Sequence, residues 1–174
     1  TSIIVCKIKK VDIRKIGSGN AGATNTVRAL GKKYGAVVLI LDIIKGIIPT
    51  IIASSLSPDS LILPVSCAFA VVLGHVFPIY FSFKGGKGAA TIIGTIIIIF
   101  PIGALICFIT WVTVMILSGY VGLGTIIAAI IFPISILIFS DINLIFFGIT
   151  AMLFILGAHY NNIIRLIQGK ENRF

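Results

Sequence analysis

The stretch Ile96-Ile97-Ile98-Ile99-Phe100-Pro101-Ile102-Gly103-Ala104-Leu105-Ile106 lies inside residues 91–117, which carry no charged side chain. Whether the chain runs straight through it or turns at Pro101 decides the topology. Proline lacks an amide hydrogen, and in a membrane helix it often only kinks the axis. One tilted span over 91–117 and two short spans meeting at Phe100-Pro101-Ile102-Gly103 are therefore both open on local grounds. The charges on either side separate them.

Of 174 residues, 58% are apolar and 11% charged, whereas soluble domains carry about a quarter charged residues. That excludes a water-soluble globular domain. The net charge of +9 comes from 14 Lys and Arg against 5 Asp and Glu, and the basic residues cluster. One cluster is Lys7, Lys9, Lys10, Arg14, Lys15, Arg28, Lys32 and Lys33; a second is Lys84 and Lys87; a third is Arg165, Lys170 and Arg173; Lys45 stands apart. Lys and Arg concentrate in cytoplasmic loops, so the three clusters share one side and an even number of spans separates them.

Residues 34–83 give two apolar runs divided by the polar turn Ser54-Ser55-Leu56-Ser57-Pro58-Asp59-Ser60. Residues 88–158 are interrupted at Pro101, at Ser118–Gly124 and at Ser140–Asn143, which makes four short spans. An unbroken span over 91–117 would leave three and put the basic tail outside, so the split at Pro101 is preferred. The expected fold is all-α: a polytopic integral membrane helix bundle of six complete spans. Residues 1–174 read as one integral domain in which Thr1 to about Cys6 form the last third of a further span. Cys6, Cys67 and Cys107 sit far apart among aliphatic residues and read as packing groups.

Three polar loops can carry chemistry. The first, Gly17-Ser18-Gly19-Asn20-Ala21-Gly22-Ala23-Thr24-Asn25 with Arg28, combines glycines that let amides approach a ligand with hydroxyl and amide side chains. It is either an anion nest at the mouth of a short helix or a flexible loop whose cations only set topology. The second runs Gly74-His75-Val76-Phe77-Pro78 to Phe83-Lys84-Gly85-Gly86-Lys87-Gly88. It fails as a nucleotide P-loop, since Gly88 replaces the Ser or Thr after the lysine and Ser82 replaces the first glycine. What remains is a lysine between glycines, placed to meet a phosphate; Lys84 reads as a topology lysine. In the third, His159 and Asn162 are neighbours on one helical face, as an oxyanion holder or as a polar cap.

Other chemistries lack their residues. A His-x4-Asp acyltransferase dyad would need Asp at 80 or 164, where Tyr80 and Ile164 stand. No Gly-x-Ser-x-Gly elbow occurs. The acids at 12, 42, 59, 141 and 171 are too scattered for a divalent-metal site, so no metal is expected. Asp42 and Lys45, three apart within a span, read as a mutually neutralising pair. An anion transporter is disfavoured because its site belongs near the bilayer midplane, and a scaffold would not need three loops so rich in Gly, Asn and Lys.

With these motifs in order, the sequence closely resembles the bacterial acyl-phosphate:glycerol-3-phosphate acyltransferase family. The resemblance rests on Gly17–Asn25, on Gly74–Pro78 with Phe83–Gly88, and on His159-Tyr160-Asn161-Asn162-Ile163-Ile164-Arg165-Leu166 with Gly169-Lys170-Glu171, supported by Asp42-Ile43-Ile44-Lys45-Gly46. It covers essentially the whole chain, although members of the family carry a complete first span, seven in all. Around Gly122 and Thr125 the family often has serines; Thr125 keeps the hydroxyl, whereas position 122 offers backbone only.

The resemblance implies transfer of a fatty acyl group from acyl phosphate to sn-glycerol 3-phosphate, giving lysophosphatidate and inorganic phosphate in the first acylation of phospholipid biosynthesis. It implies no cofactor, no CoA or acyl carrier protein, and no nucleic acid. The expected setting is a bacterial inner membrane, with the active-site loops facing the cytoplasm and the donor tail among membrane lipids. Arg28 and Lys87 are expected to clamp phosphates; Ser18, Gly19, Asn20 and Asn25 to shape the first cradle; Gly85 and Gly86 to bind substrate through the second loop; and Thr125, His159 and Asn162 to complete the donor-phosphate pocket. The proton acceptor is either a substrate phosphate or His159.

Overall fold

The computed structural model describes residues 1–173, and all regular structure among them is helical. The chain divides into two compact units, Thr1–Ile98 and the part from Ile99 onward. The first unit holds α1 (Ser2–Ile8), α2 (Ala23–Leu30), α3 (Lys32–Leu56), α4 (Ile62–Val76) and α5 (Ala89–Ile99). The second holds α6 (Pro101–Ser118), α7 (Val121–Phe139), α8 (Ile145–Ala158) and α9 (Tyr160–Ile167). Single 3-10 turns occur at Ile13–Lys15, Ile79–Phe81 and Ile142–Leu144.

The expected break at Pro101 is a helix boundary. Phe100 is extended (φ −148°, ψ 80°), and Pro101 opens α6, where a missing amide hydrogen costs nothing. Two glycines end helices in conformations that other residues avoid: Gly31 (φ 87°) between α2 and α3, and Gly119 (φ 75°) after α6. Each donates its N–H back to the preceding turn, to Val27 and Met115 respectively, at 2.8 Å.

The six expected apolar segments all form helices, α3 to α8, but not all are of membrane length. Among the described residues four segments are long and apolar enough to cross a bilayer: Lys32–Leu56, Ile62–Phe81, Pro101–Ser118 and Val121–Phe139. Ile142–Ala158 with Tyr160–Ile167 makes a fifth only as a pair bent by 61°, and α5 is a short apolar helix of 11 residues. At 1.5 Å per residue α5 reaches about 16 Å of a roughly 30 Å hydrocarbon layer. Six apolar helices thus stand where six complete spans are expected, and four of them, or five with the bent pair, are of membrane length.

Polarity is distributed as lipid solvent demands. Ile62, Leu117 and Phe146 are 78%, 81% and 76% exposed, while Asp42, Thr50, Thr91, Thr95 and Ser135 are buried. The hydroxyls of Thr50, Thr95 and Ser135 donate to carbonyls of their own helix, Gly46, Ile92 and Phe132, which satisfies them without water. Within the first unit, α3 and α5 meet backbone to backbone at Gly46 and Gly94. A methyl on either would overlap a carbonyl oxygen of the other helix, Thr91 or Ile43, and such small-residue crossings are how membrane helices approach closely. Within the second unit, Phe132 of α7 and Phe147 of α8 pack edge to face at 5.8 Å.

Candidate active site

In the first unit the first glycine loop is organised by Asn25. This side chain is 1% exposed; its Nδ2 donates to the carbonyls of Ile13 (3.1 Å) and Ile16 (2.9 Å), and its Oδ1 accepts the Ser18 N–H (3.1 Å). All its polar groups are spent on the loop, so Asn25 shapes the cradle from beneath. Gly17 (φ 54°) lies between Asn25 and the aliphatic part of Arg28, where a Cβ would come 2.5 Å from Asn25 Oδ1 and 3.1 Å from Arg28 Cδ. Arg28 therefore passes across the glycine turn, beside Ser18. Gly19 (φ 70°) and the Ser18 hydroxyl, 3.4 Å from the Asn20 N–H, complete the bend.

The second loop is stitched to the end of α4. Gly85 N–H donates to Val76 O (2.9 Å) and Gly86 N–H to His75 O (3.3 Å). The amides of Gly85 and Gly86 are thus hydrogen-bonded to backbone carbonyls, and these glycines position the loop. Gly86 is also where the loops touch. A methyl there would overlap the His75 ring at Nε2 and would lie 2.8 Å from the Ala21 carbonyl oxygen. Arg14 adds a second bridge, its Nη2 donating to the carbonyls of Phe81 and Lys84, each at 3.1 Å. The structure thus brings Ser18, Gly19, Asn20, Asn25 and Arg28 together with Gly85, Gly86 and Lys87 in one unit.

Beneath them sits a buried polar group that sequence reasoning found only in part. The expected Asp42 and Lys45 pair is present at 3.1 Å. Lys45 Nζ also lies 2.6 Å from His75 Nδ1, which Thr91 Oγ1 approaches at 3.1 Å, and Asp42 Oδ1 is 3.7 Å from the same nitrogen. With Lys45 donating to Nδ1, the hydrogen of a neutral His75 ring sits on Nε2, the edge turned to Gly86. His75, Asp42 and Lys45 are the underside of the junction between the two loops.

In the second unit, His159 stands at the bend between α8 and α9, buried, with Nδ1 2.9 Å from the Ile155 carbonyl. A carbonyl only accepts, so Nδ1 carries a hydrogen, and in the neutral ring the lone pair lies on Nε2. Asn162 Nδ2 donates to Glu171 Oε1 (2.9 Å), and Arg165 Nε donates to Glu171 Oε2 (2.8 Å), so Glu171 ties the tail to α9. A methyl at Gly122 would come 2.7 Å from Asn162 Nδ2, so that position is bare because Asn162 packs on it. Thr125 Oγ1 donates to Val121 O at 3.1 Å. Among the described residues no three His, Cys, Asp or Glu side chains gather as a metal-ligand set.

Membrane-length apolar helices, with glycine-rich basic loops in the segments between them, define a class: an integral membrane protein. The sequence profile described as glycerol-3-phosphate acyltransferase matches residues 1–169, and the chain belongs to that family. Over 173 residues it is 43% identical to the glycerol-3-phosphate acyltransferase of Aquifex aeolicus, covering 98% of this chain and 90% of that one. It is 41% identical to the protein of the same name from Shouchella clausii, covering 98% and 86%. The fold agrees with the crystal structure of PlsY, an integral membrane glycerol 3-phosphate acyltransferase, in its glycerol 3-phosphate form (TM-score 0.94, 41% identity, 99% of this chain and 87% of that one). It also agrees with the lysophosphatidic acid form of PlsY (TM-score 0.91, 40% identity, 99% and 87%).

Proposed function

We propose that this protein transfers a fatty acyl group from acyl phosphate to sn-glycerol 3-phosphate, releasing lysophosphatidate and inorganic phosphate. The observation that supports this reading is that the loop before Arg28 and the loop of Lys87 meet at Gly86 against Ala21, in a chain that matches the glycerol 3-phosphate form of PlsY over 99% of its length. Both substrates are phosphates, so a site for them needs fixed cations and not carboxylates.

In the proposed reaction the acceptor hydroxyl oxygen attacks the acyl carbonyl carbon, a C–O ester bond forms, and the bond from that carbon to the phosphate oxygen breaks. Phosphate leaves with the electron pair. The hydroxyl proton goes to a phosphate oxygen or to His159 Nε2, the lone-pair nitrogen set by the Ile155 bond. Acyl phosphate is already activated, so positioning and electrostatic stabilisation suffice without a covalent enzyme intermediate. Arg28 and Lys87 hold phosphate; Ser18, Gly19 and Asn20 line the cradle; Thr125 and Asn162 serve the donor phosphate. At Thr125 the phosphate competes with the Val121 carbonyl for the hydroxyl hydrogen. The setting is a bacterial inner membrane crossed by α3 to α8, with the basic loops on the cytoplasmic side.

The test is donor choice. Purified protein given labelled sn-glycerol 3-phosphate should form lysophosphatidate from acyl phosphate and not from acyl-CoA. Equal rates from the two donors in the same detergent would overturn the proposal.

A further inference from the structure

A cavity of about 540 Å³ opens in the first unit beside the glycine loops; Lys7, Lys10, Asp12 and Arg14 line it, together with Tyr80 and Phe81. Neither Arg28 nor Lys87 is among its walls. Two of its cations are fixed on Phe81: Lys7 Nζ lies 5.6 Å from the ring centroid, and Arg14 Nη2 donates to the Phe81 carbonyl at 3.1 Å. One carboxylate against three cations leaves a surplus of positive charge in a recess with aromatic walls.

Three residues around the recess take a left-handed backbone conformation. Lys10 (φ 57°), Ser82 (φ 55°) and Phe83 (φ 58°) are the non-glycine residues with positive φ, and Lys10 and Ser82 line the cavity itself. At Lys10 this turn closes α1, with Lys10 N–H donating to Lys7 O and Val11 N–H to Cys6 O, each at 2.9 Å, so the helix end fixes where the Lys10 side chain leaves the backbone. Next to the recess, Ile79, Tyr80 and Phe83 are 74%, 94% and 60% exposed, and aromatic side chains beside lysines at a helix end mark the headgroup level of a bilayer.

We propose that this recess binds the headgroup of an anionic phospholipid, with phosphate against Lys7, Lys10 and Arg14 and the acyl chains running over Tyr80 and Phe81. Charge selects the occupant: a zwitterionic lipid brings its own cation into a site that already has too many. The inference does not depend on the proposed acyl transfer, because it uses none of the residues assigned to it.

The delipidated full chain in detergent is titrated with phosphatidylglycerol or phosphatidylcholine, bound lipid is counted by native mass spectrometry, and inorganic phosphate is added as competitor. Phosphatidylglycerol should be retained in preference, and the Lys7→Gln, Lys10→Gln double variant should lose roughly a decade of that preference, as expected for two basic groups at an anionic lipid surface. The Lys7→Arg, Lys10→Arg variant should keep it, and the KM for sn-glycerol 3-phosphate should be unchanged in both. Equal retention of the two lipids, or full retention in the Gln variant, would overturn the proposal. Displacement of the lipid by inorganic phosphate would mean a free-phosphate site, and a raised KM in the Gln variant would mean a substrate site; either result also overturns it.

Discussion

Lys84 and Lys87 are three residues apart on one loop, yet their surroundings differ. Lys84 is exposed, and its backbone carbonyl is spent on Arg14. Lys87 is half-buried between Gly86, wedged against His75 and Ala21, and Gly88, whose φ of 82° sets the start of α5. A cation held in such a frame stabilises charge that develops on a bound phosphate, whereas a solvated lysine is screened. Lys87→Ala and Arg28→Ala should each lower turnover at least about tenfold, the equivalent of ~1.4 kcal/mol in the barrier, and Lys84→Ala should lower it less. Wild-type kinetics in Lys87→Ala would make that residue a topology charge.

At the scale of the elements, the glycines of α3, α4 and α5 are not alike. Gly94 faces the Ile43 carbonyl and the Gly46 Cα, while nothing lies within 4 Å of the place a methyl would take at Gly74. Gly94→Ala should overpack the α3 and α5 crossing and cost ~1–3 kcal/mol. Gly74→Ala, in a helix interior with open space, should be neutral or stabilising by roughly 0.5–1 kcal/mol. Thermal unfolding in detergent reads both, and equal melting temperatures would show that the crossing tolerates separation. The helices themselves were legible in the sequence, because apolar runs and their interruptions are local signals; so was the Asp42 and Lys45 pair, one helical turn apart. His75 was not legible as a support for Gly86, since its partner Lys45 lies 30 positions away in sequence and no spacing rule links them. The same holds for Arg14, which reaches carbonyls 67 and 70 positions on, and for Glu171, nine positions from Asn162. The carbonyl partners of the Gly85 and Gly86 amides were not legible for a related reason: a glycine-rich loop looks the same in sequence whether its N–H groups face a ligand or a neighbouring carbonyl.

For the whole molecule α5 is the deciding element, because the parity of everything after it depends on its crossing the membrane. Its 11 residues fall short of the hydrocarbon thickness, so a crossing requires a locally thinned bilayer or partly buried helix ends. Charge favours the crossing: with α3 to α8 all spanning, the loops of Arg28, of Lys87 and of Arg165 share one side, as the bias of basic residues demands. If α5 instead returns to the side it left, residue 141 moves inward and residue 172 outward, and Arg28 and Lys87 would face a different compartment from Asn162. Single cysteines can decide it in a background without Cys6, Cys67 and Cys107, all free thiols. With a membrane-impermeant thiol reagent on intact cells, positions 57 and 141 should label, and positions 20, 84 and 172 should not. Labelling at 172 with protection at 141 would show that α5 does not span, and the two groups of residues could not then act in a single reaction.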